Sequence, residues 1–142
     1  MSNLAAGLQR LVRQRAADRC EYCLAHQSLQ VATFHVEHII PVSAGGVTAP
    51  ENLALSCPSC NLHKAQRTVG IDSMTEAESL LFHPRLNKWS DHFSWLGYDI
   101  VGLTPVGRAT IAALGMNHPR RIRIRMAEEV FRLFPSAPAG AD

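Results

Sequence analysis

The chain of 142 residues has four cysteines, and all four fall in two equal spacings, Cys20-x-x-Cys23 and Cys57-x-x-Cys60, with 33 residues between the pairs. A two-residue gap on a tight turn aims both thiols the same way. Two such pairs supply the four tetrahedral ligands that Zn2+ prefers. Four thiolates close the coordination shell and leave no position for a substrate, so the zinc predicted here is structural. Disulfides suit secreted chains instead. The N-terminus, Met1-Ser2-Asn3-Leu4, lacks the basic start and apolar run of a secretion signal, so a cytoplasmic location is the expectation.

A second set of polar residues lies between and after the cysteine pairs. Glu37-His38 closes an apolar run, Asn52 lies in the loop beyond it, and Asn61 directly follows the last cysteine, with His63 and Lys64 close behind. Hydrolysis of a phosphodiester needs a nucleophile, a counter-charge for the transition state and help for the leaving oxygen. A neutral imidazole suits proton abstraction near pH 7. A carboxylate and an amide oxygen are hard ligands, which favour Mg2+ or Mn2+ over a thiophilic ion. Taken singly, each residue has a plainer use. His38 suits a hydrogen-bonded structural role, Glu37 a solvent-facing charge, Asn52 a turn and Asn61 a helix start.

Their order carries more than their types. The string Val36-Glu37-His38-Ile39-Ile40-Pro41, then Gly45-Gly46, then Asn52-Leu53-Ala54-Leu55-Ser56-Cys57-Pro58-Ser59-Cys60-Asn61 and Lys64 resembles the HNH endonuclease motif, over about residues 19–67. The resemblance implies an α+β fold with a ββα-metal (His-Me finger) core, in which a two-stranded hairpin and one helix grip a single divalent ion. It implies His38 as general base, Glu37 as the acidic metal ligand, Asn52 as the residue that fixes the base imidazole by a hydrogen bond, and Asn61 as the final metal ligand. Asp is commoner than Glu at the first metal position and His commoner than Asn at the last, so this is an H-N-N variant. The implied partner is double-stranded DNA approached from the minor groove and cut to 5′-phosphate and 3′-hydroxyl ends by a monomer or homodimer. His63, two residues beyond Asn61, would point about 200° away on a helix. It is therefore expected as a phosphate contact rather than a ligand, and Lys64, at the family's basic position, is expected to touch a phosphate or to cap the fold. His35 could share a strand face with Glu37. The alternative is a zinc-knuckle module that binds nucleic acid or protein without hydrolysis.

The supporting elements can be read from periodicity and punctuation. Leu4, Leu8, Leu11 and Val12 predict an amphipathic helix over about 4–17, with its arginines in water. A strand or hairpin is expected over 29–40, ended by Pro41, then a turn at 43–46 and an irregular stretch over 47–56. Pro58 opens a helix to about 66. Ser73-x-x-Glu76 reads as a capping box that starts a short helix ending near His83-Pro84. Two strands are expected over 89–96 and 99–103 around Gly97, with Trp89, Phe93 and Trp95 in the core. A helix runs from Thr104-Pro105 to Gly115, and a last one over 119–133 presents Ile122, Met126, Val130 and Leu133. The expected organisation is a core with its N-terminal helix over 1–70 and a C-terminal α/β extension over 71–142, packed as one unit.

Bulk composition excludes some classes. The chain is 46% hydrophobic and 18% charged, which argues against disorder. Its apolar runs are too short to span a bilayer, so no membrane partner is expected. The net charge of +2 does not by itself favour nucleic acid. Local arginine clusters do: Arg10, Arg13, Arg15 and Arg19 before the first cysteine pair, and Arg120, Arg121, Arg123, Arg125 and Arg132 near the C-terminus. Solvated helix faces are the plain alternative for both.

Overall fold

The computed structural model describes residues 4–135, 137 and 138. Helix α1 spans Ala6–Ala16 and ends at Ala17, whose left-handed φ of 52° turns the chain toward the first cysteine pair. Val12 and Ala16 are buried and Leu4 and Leu8 partly so, whereas Leu11 faces out. The arginines of α1 are not all in water as expected. Arg13 Nη2 donates to the Phe34 carbonyl at 2.9 Å, and Arg15 Nη2 donates to that of Leu53. They satisfy acceptors on the segments that α1 covers.

Strand β1 (His35–His38) pairs antiparallel with β2 (Leu53–Ser56), placing His35 opposite Ser56 and His38 opposite Leu53. The strand expected over 29–40 is thus four residues long. The stretch 47–56, expected to be irregular, holds its partner. All four residues of β2 are buried, and a strand enclosed on both faces has no polar–apolar alternation to betray it. Helix α2 (Pro58–Lys64) follows at once, its first turn capped by Cys57 Sγ, which accepts from the Cys60 N–H at 3.4 Å.

Strands β3 (Val69–Ile71) and β4 (Glu78–Leu80) form a second antiparallel hairpin where a capped helix was expected. Asp72 organises this turn in place of Ser73. Its carboxylate accepts from the Met74 N–H at 3.0 Å, from Thr75 Oγ1 at 2.8 Å and from Arg108 Nε at 2.7 Å. These bonds hold the chain in a turn and block the reciprocal bonds of a capping box.

One helical turn, α3 (Trp89–His92), precedes the hairpin of β5 (Phe93–Leu96) and β6 (Asp99–Gly102), which reverses through Gly97 at φ 60°. The expected strand over 89–96 therefore begins four residues late. Helix α4 (Pro105–Leu114) has the predicted ends: Thr104 Oγ1 accepts from the Gly107 N–H at 3.0 Å, and Gly115 closes it at φ 59°. Helix α5 (Pro119–Val130) is where predicted but rotated. Its buried residues are Arg121, Arg125 and Glu128, while Met126 and Val130 of the apolar stripe are exposed.

The described residues fold as α+β, with three separate two-stranded sheets. Helix α4 packs on α2, β3, β4 and β6 and so links the two halves of the chain. Trp89 and Phe93 are buried as expected, with ring centroids 5.0 Å apart. Among the described residues, no helix is long and apolar enough to cross a membrane.

Candidate active site

The four cysteine sulfurs converge in the core. Cys20 and Cys23 lie on the turn after α1, and Cys57 and Cys60 at the start of α2. All four thiols are buried and their sulfurs lie within 4.8 Å of one another. Tetrahedral Zn2+ with bonds of about 2.3 Å sets its sulfurs about 3.8 Å apart. Cys23 and Cys57 Sγ are 3.7 Å apart, so the donor set and its spacing fit zinc. The site is closed and serves structure.

The rotation of α5 has its cause here. Arg121 Nη2 lies 2.8 Å from Cys60 Sγ and 3.8 Å from Cys57 Sγ, and Nη1 donates to the Leu114 carbonyl at 2.7 Å. Four thiolates around one divalent ion carry a surplus of two negative charges, and a buried surplus needs a partner. The helix accordingly turns Arg121 and Arg125 inward. Arg125 Nη1 donates to the Tyr98 carbonyl at 2.9 Å, and Glu128 Oε2 accepts from the His26 N–H at 2.7 Å. The C-terminal arginine cluster thus divides, and Arg121 and Arg125 are structural.

Glu37, near the end of β1, turns inward toward Tyr22, which sits between the first two cysteines, and toward Lys64 on α2. Its Oε1 and the Tyr22 hydroxyl are buried near one another, and neither makes a hydrogen bond of ordinary length. Burial pushes the Glu37 carboxyl up to about 7, against the pull of the Lys64 ammonium. Lys64 is 2% exposed and donates to the Ile39 carbonyl at 2.9 Å. Of its two expected roles this removes the phosphate contact, because a buried ammonium committed to a backbone carbonyl does not meet a phosphate from solvent, and leaves the structural one.

His38 lies at the strand end and points elsewhere, its Nε2 2.8 Å from Thr48 Oγ1. The expected bond from Asn52 to this imidazole is not made. Asn52 is 6% exposed and spends its amide on the loop: Oδ1 accepts from the Ile40 N–H at 2.9 Å, and Nδ2 donates to the carbonyls of Ile40 at 3.0 Å and Val47 at 2.8 Å. Asn52 therefore fixes the loop, and the loop brings Thr48 to His38. Gly46 allows this closure, since a Cβ there would fall 1.8 Å from the Ile40 carbonyl oxygen.

Asn61 lies on α2 one turn before Lys64, a spacing that puts the two on one helix face. His63 is exposed, with Nδ1 2.7 Å from the Ser59 carbonyl, so its Nε2 remains for other partners. His35 is exposed at the start of β1. The structure thus joins Glu37 with Lys64 and Tyr22, and His38 with Thr48. Among the described residues, no hydrogen bond links Glu37, His38 and Asn61. Tyr22 and Thr48 were not expected from sequence, and Arg121 was expected only within the C-terminal arginine cluster, not beside the sulfurs. The place of Tyr22 inside the first cysteine pair was a usable signal, whereas Thr48 and Arg121 had none.

The donor chemistry at the end of β1 fits a second, harder metal. The orphaned Glu37 oxygen is a hard, buried acceptor that a divalent cation would satisfy, and Asn61 offers an amide oxygen of the same class. Among known proteins, a family model described as HNH endonuclease matches residues 20–67. No curated protein and no solved structure matches the chain.

Proposed function

We propose, from the match of residues 20–67 to the HNH endonuclease family model, that the protein is a metal-dependent endonuclease that hydrolyses phosphodiester bonds of double-stranded DNA. The observation that carries the proposal is the pairing of two groups at the end of β1. A Glu37 carboxylate with one buried, unpartnered oxygen adjoins a partly exposed imidazole, His38, held by a neighbouring hydroxyl.

In this reading Glu37 and Asn61 hold Mg2+ or Mn2+. When bound, that ion supplies Lewis-acid stabilisation of the phosphate and of the departing oxygen. His38 accepts the proton of the attacking water. Whichever way the Thr48 hydroxyl bonds to Nε2, Nδ1 is the nitrogen left to face that water. If Nε2–H donates to Thr48, Nδ1 carries the lone pair that a base requires. Asn52 acts at one remove as a positioning residue by clamping the loop that carries Thr48. His63, with a free Nε2 on the outer face of α2, contacts a DNA phosphate. Such contacts position the duplex and confer little sequence preference. Residues 1–70 form the nuclease core and 71–142 an extension packed on it as one domain.

The test is nicking of supercoiled plasmid with Mg2+ or Mn2+, comparing the wild type with His38→Ala and DNA with RNA. Metal-dependent nicking of DNA by the wild type, lost by at least a hundredfold in His38→Ala, is the expected result. Equal nicking by both proteins would remove His38 from the mechanism. Retained DNA binding without cutting under any metal would leave a zinc-stapled binding module.

A further inference from the structure

Tyr22 lies between Cys20 and Cys23 and is wholly buried. Packing accounts for its ring but not for its hydroxyl, because a phenylalanine would fill nearly the same space with no polar atom to satisfy. A buried hydroxyl without a partner is costly. Yet neither the Tyr22 hydroxyl nor Glu37 Oε1 makes a hydrogen bond of ordinary length, and they are two of four buried side-chain polar atoms so placed among the described residues. The other two belong to Arg15 and Glu128, which already hold bonds through another atom. Tyr22 and Glu37 are therefore the pair whose polar groups still need an explanation.

The backbone brings these two residues together. The Glu21 N–H donates to the Leu55 carbonyl at 2.8 Å, and Glu21 Oε2 accepts from the Leu55 N–H at 2.9 Å. Leu55 is the β2 partner of Val36, the neighbour of Glu37 on β1. The knuckle is thus clamped to the hairpin beside Glu37. The C-terminal extension holds the same two knuckle residues: Trp89 Nε1 donates to the Tyr22 carbonyl at 2.8 Å, and Arg85 pairs with Glu21. Across this joint the phenol and the carboxylate face each other. Lys64 also faces Glu37 and balances its charge, but it donates to the Ile39 carbonyl.

We propose that Tyr22 is a positioning residue for Glu37, its hydroxyl donating to the Glu37 carboxylate while that carboxylate holds the divalent ion. This role rests on the reading of Glu37 as a metal ligand given above. A hydroxyl that donates to a carboxylate makes a charge-assisted bond, stronger than one between neutral groups. Donors of this kind, one step outside the metal, orient the ligand and typically carry roughly ten- to a hundredfold in metal affinity. The extension then has a part in the site without touching it, because Trp89 and Arg85 fix the backbone from which the hydroxyl projects.

The test compares the zinc-loaded wild type with Tyr22→Phe in three measurements: Mn2+ binding by calorimetry without DNA, zinc release to a chelator, and thermal melting. Tyr22→Phe should bind Mn2+ about tenfold more weakly. Its zinc release and its melting without Mn2+ should stay near those of the wild type. A further measurement leaves Tyr22 unchanged, so it does not depend on the folding of that variant. Tyr98→Phe removes the other of the two tyrosines in the chain, and Mg2+ should then shift the near-ultraviolet absorption of Tyr22 in a saturable way. Equal Mn2+ affinity in wild type and Tyr22→Phe, or tyrosine absorption unmoved by bound Mg2+, would overturn the proposal and leave the nuclease reading standing. Faster zinc release with unchanged Mn2+ affinity would assign the hydroxyl to the sulfurs and overturn it equally. Absence of Mn2+ binding by the wild type would remove the metal-ligand reading of Glu37, and this proposal with it.

Discussion

His38 and Glu37 are neighbours in sequence with opposite environments, and that contrast defines their separate tests. His38 is partly exposed and holds one side-chain hydrogen bond, to Thr48. Replacing it with Ala should change stability by no more than about 0.5 kcal/mol while removing activity, as thermal melts beside nicking rates would show. Glu37 is different. Its carboxyl titrates near 4.5 when unfolded and about 7 when folded, so between those values the folded state binds the extra proton. Stability contributed by this group is present at low pH and is lost as pH rises through that window, by about 3 kcal/mol in all. Without added divalent ions, the stability of Glu37→Gln relative to wild type should therefore rise from pH 5 to pH 7.5, and chemical denaturation across that range checks the sign. Asn52 belongs with the structural residues despite its place in the motif. Asn52→Ala strands three backbone groups and should cost about 3 kcal/mol at roughly 1 kcal/mol per bond, measured by denaturant midpoint.

Helix α5 shows how a correct element can carry a wrong face. Ile122, Met126 and Val130 recur at helical spacing, yet Met126 and Val130 are exposed because Arg121 and Arg125 turn toward the sulfur cluster. Apolar periodicity assumes that the core is hydrocarbon, and here part of it is a charged metal–thiolate group. The ends of α4 were legible because Thr104-Pro105 and Gly115 act locally. Strand β2 was hidden by burial on both faces, and the β3–β4 hairpin by a long-range bond from Arg108 to Asp72. The motif residues were legible as a set, but their partners Thr48 and Tyr22 come from the loop and the knuckle. Arg121→Met should leave the thiolate surplus uncompensated and cost about 3 kcal/mol. Faster zinc release to a chelator and proteolysis within α5 would be its signs, with Arg121→Lys intermediate.

Across the whole molecule, the cysteine cluster is the joint at which α1, β2, α2 and α5 meet. Zinc binding and folding should therefore be a single transition, in which a chelator or Cys57→Ser unfolds residues on both sides of the joint together. Hydrogen exchange that loosens only 20–67 would contradict this. The proposed activity adds a demand that zinc alone does not meet, namely a second ion at the end of β1. The most direct test is a crystal of the zinc-loaded protein soaked in Mn2+ and measured at the manganese edge. The account predicts one anomalous peak bonded to the Glu37 carboxylate and the Asn61 amide oxygen, with His38 facing a water beside it. A soaked crystal with no peak there, and Glu37 still turned to Lys64 and Tyr22, would contradict it.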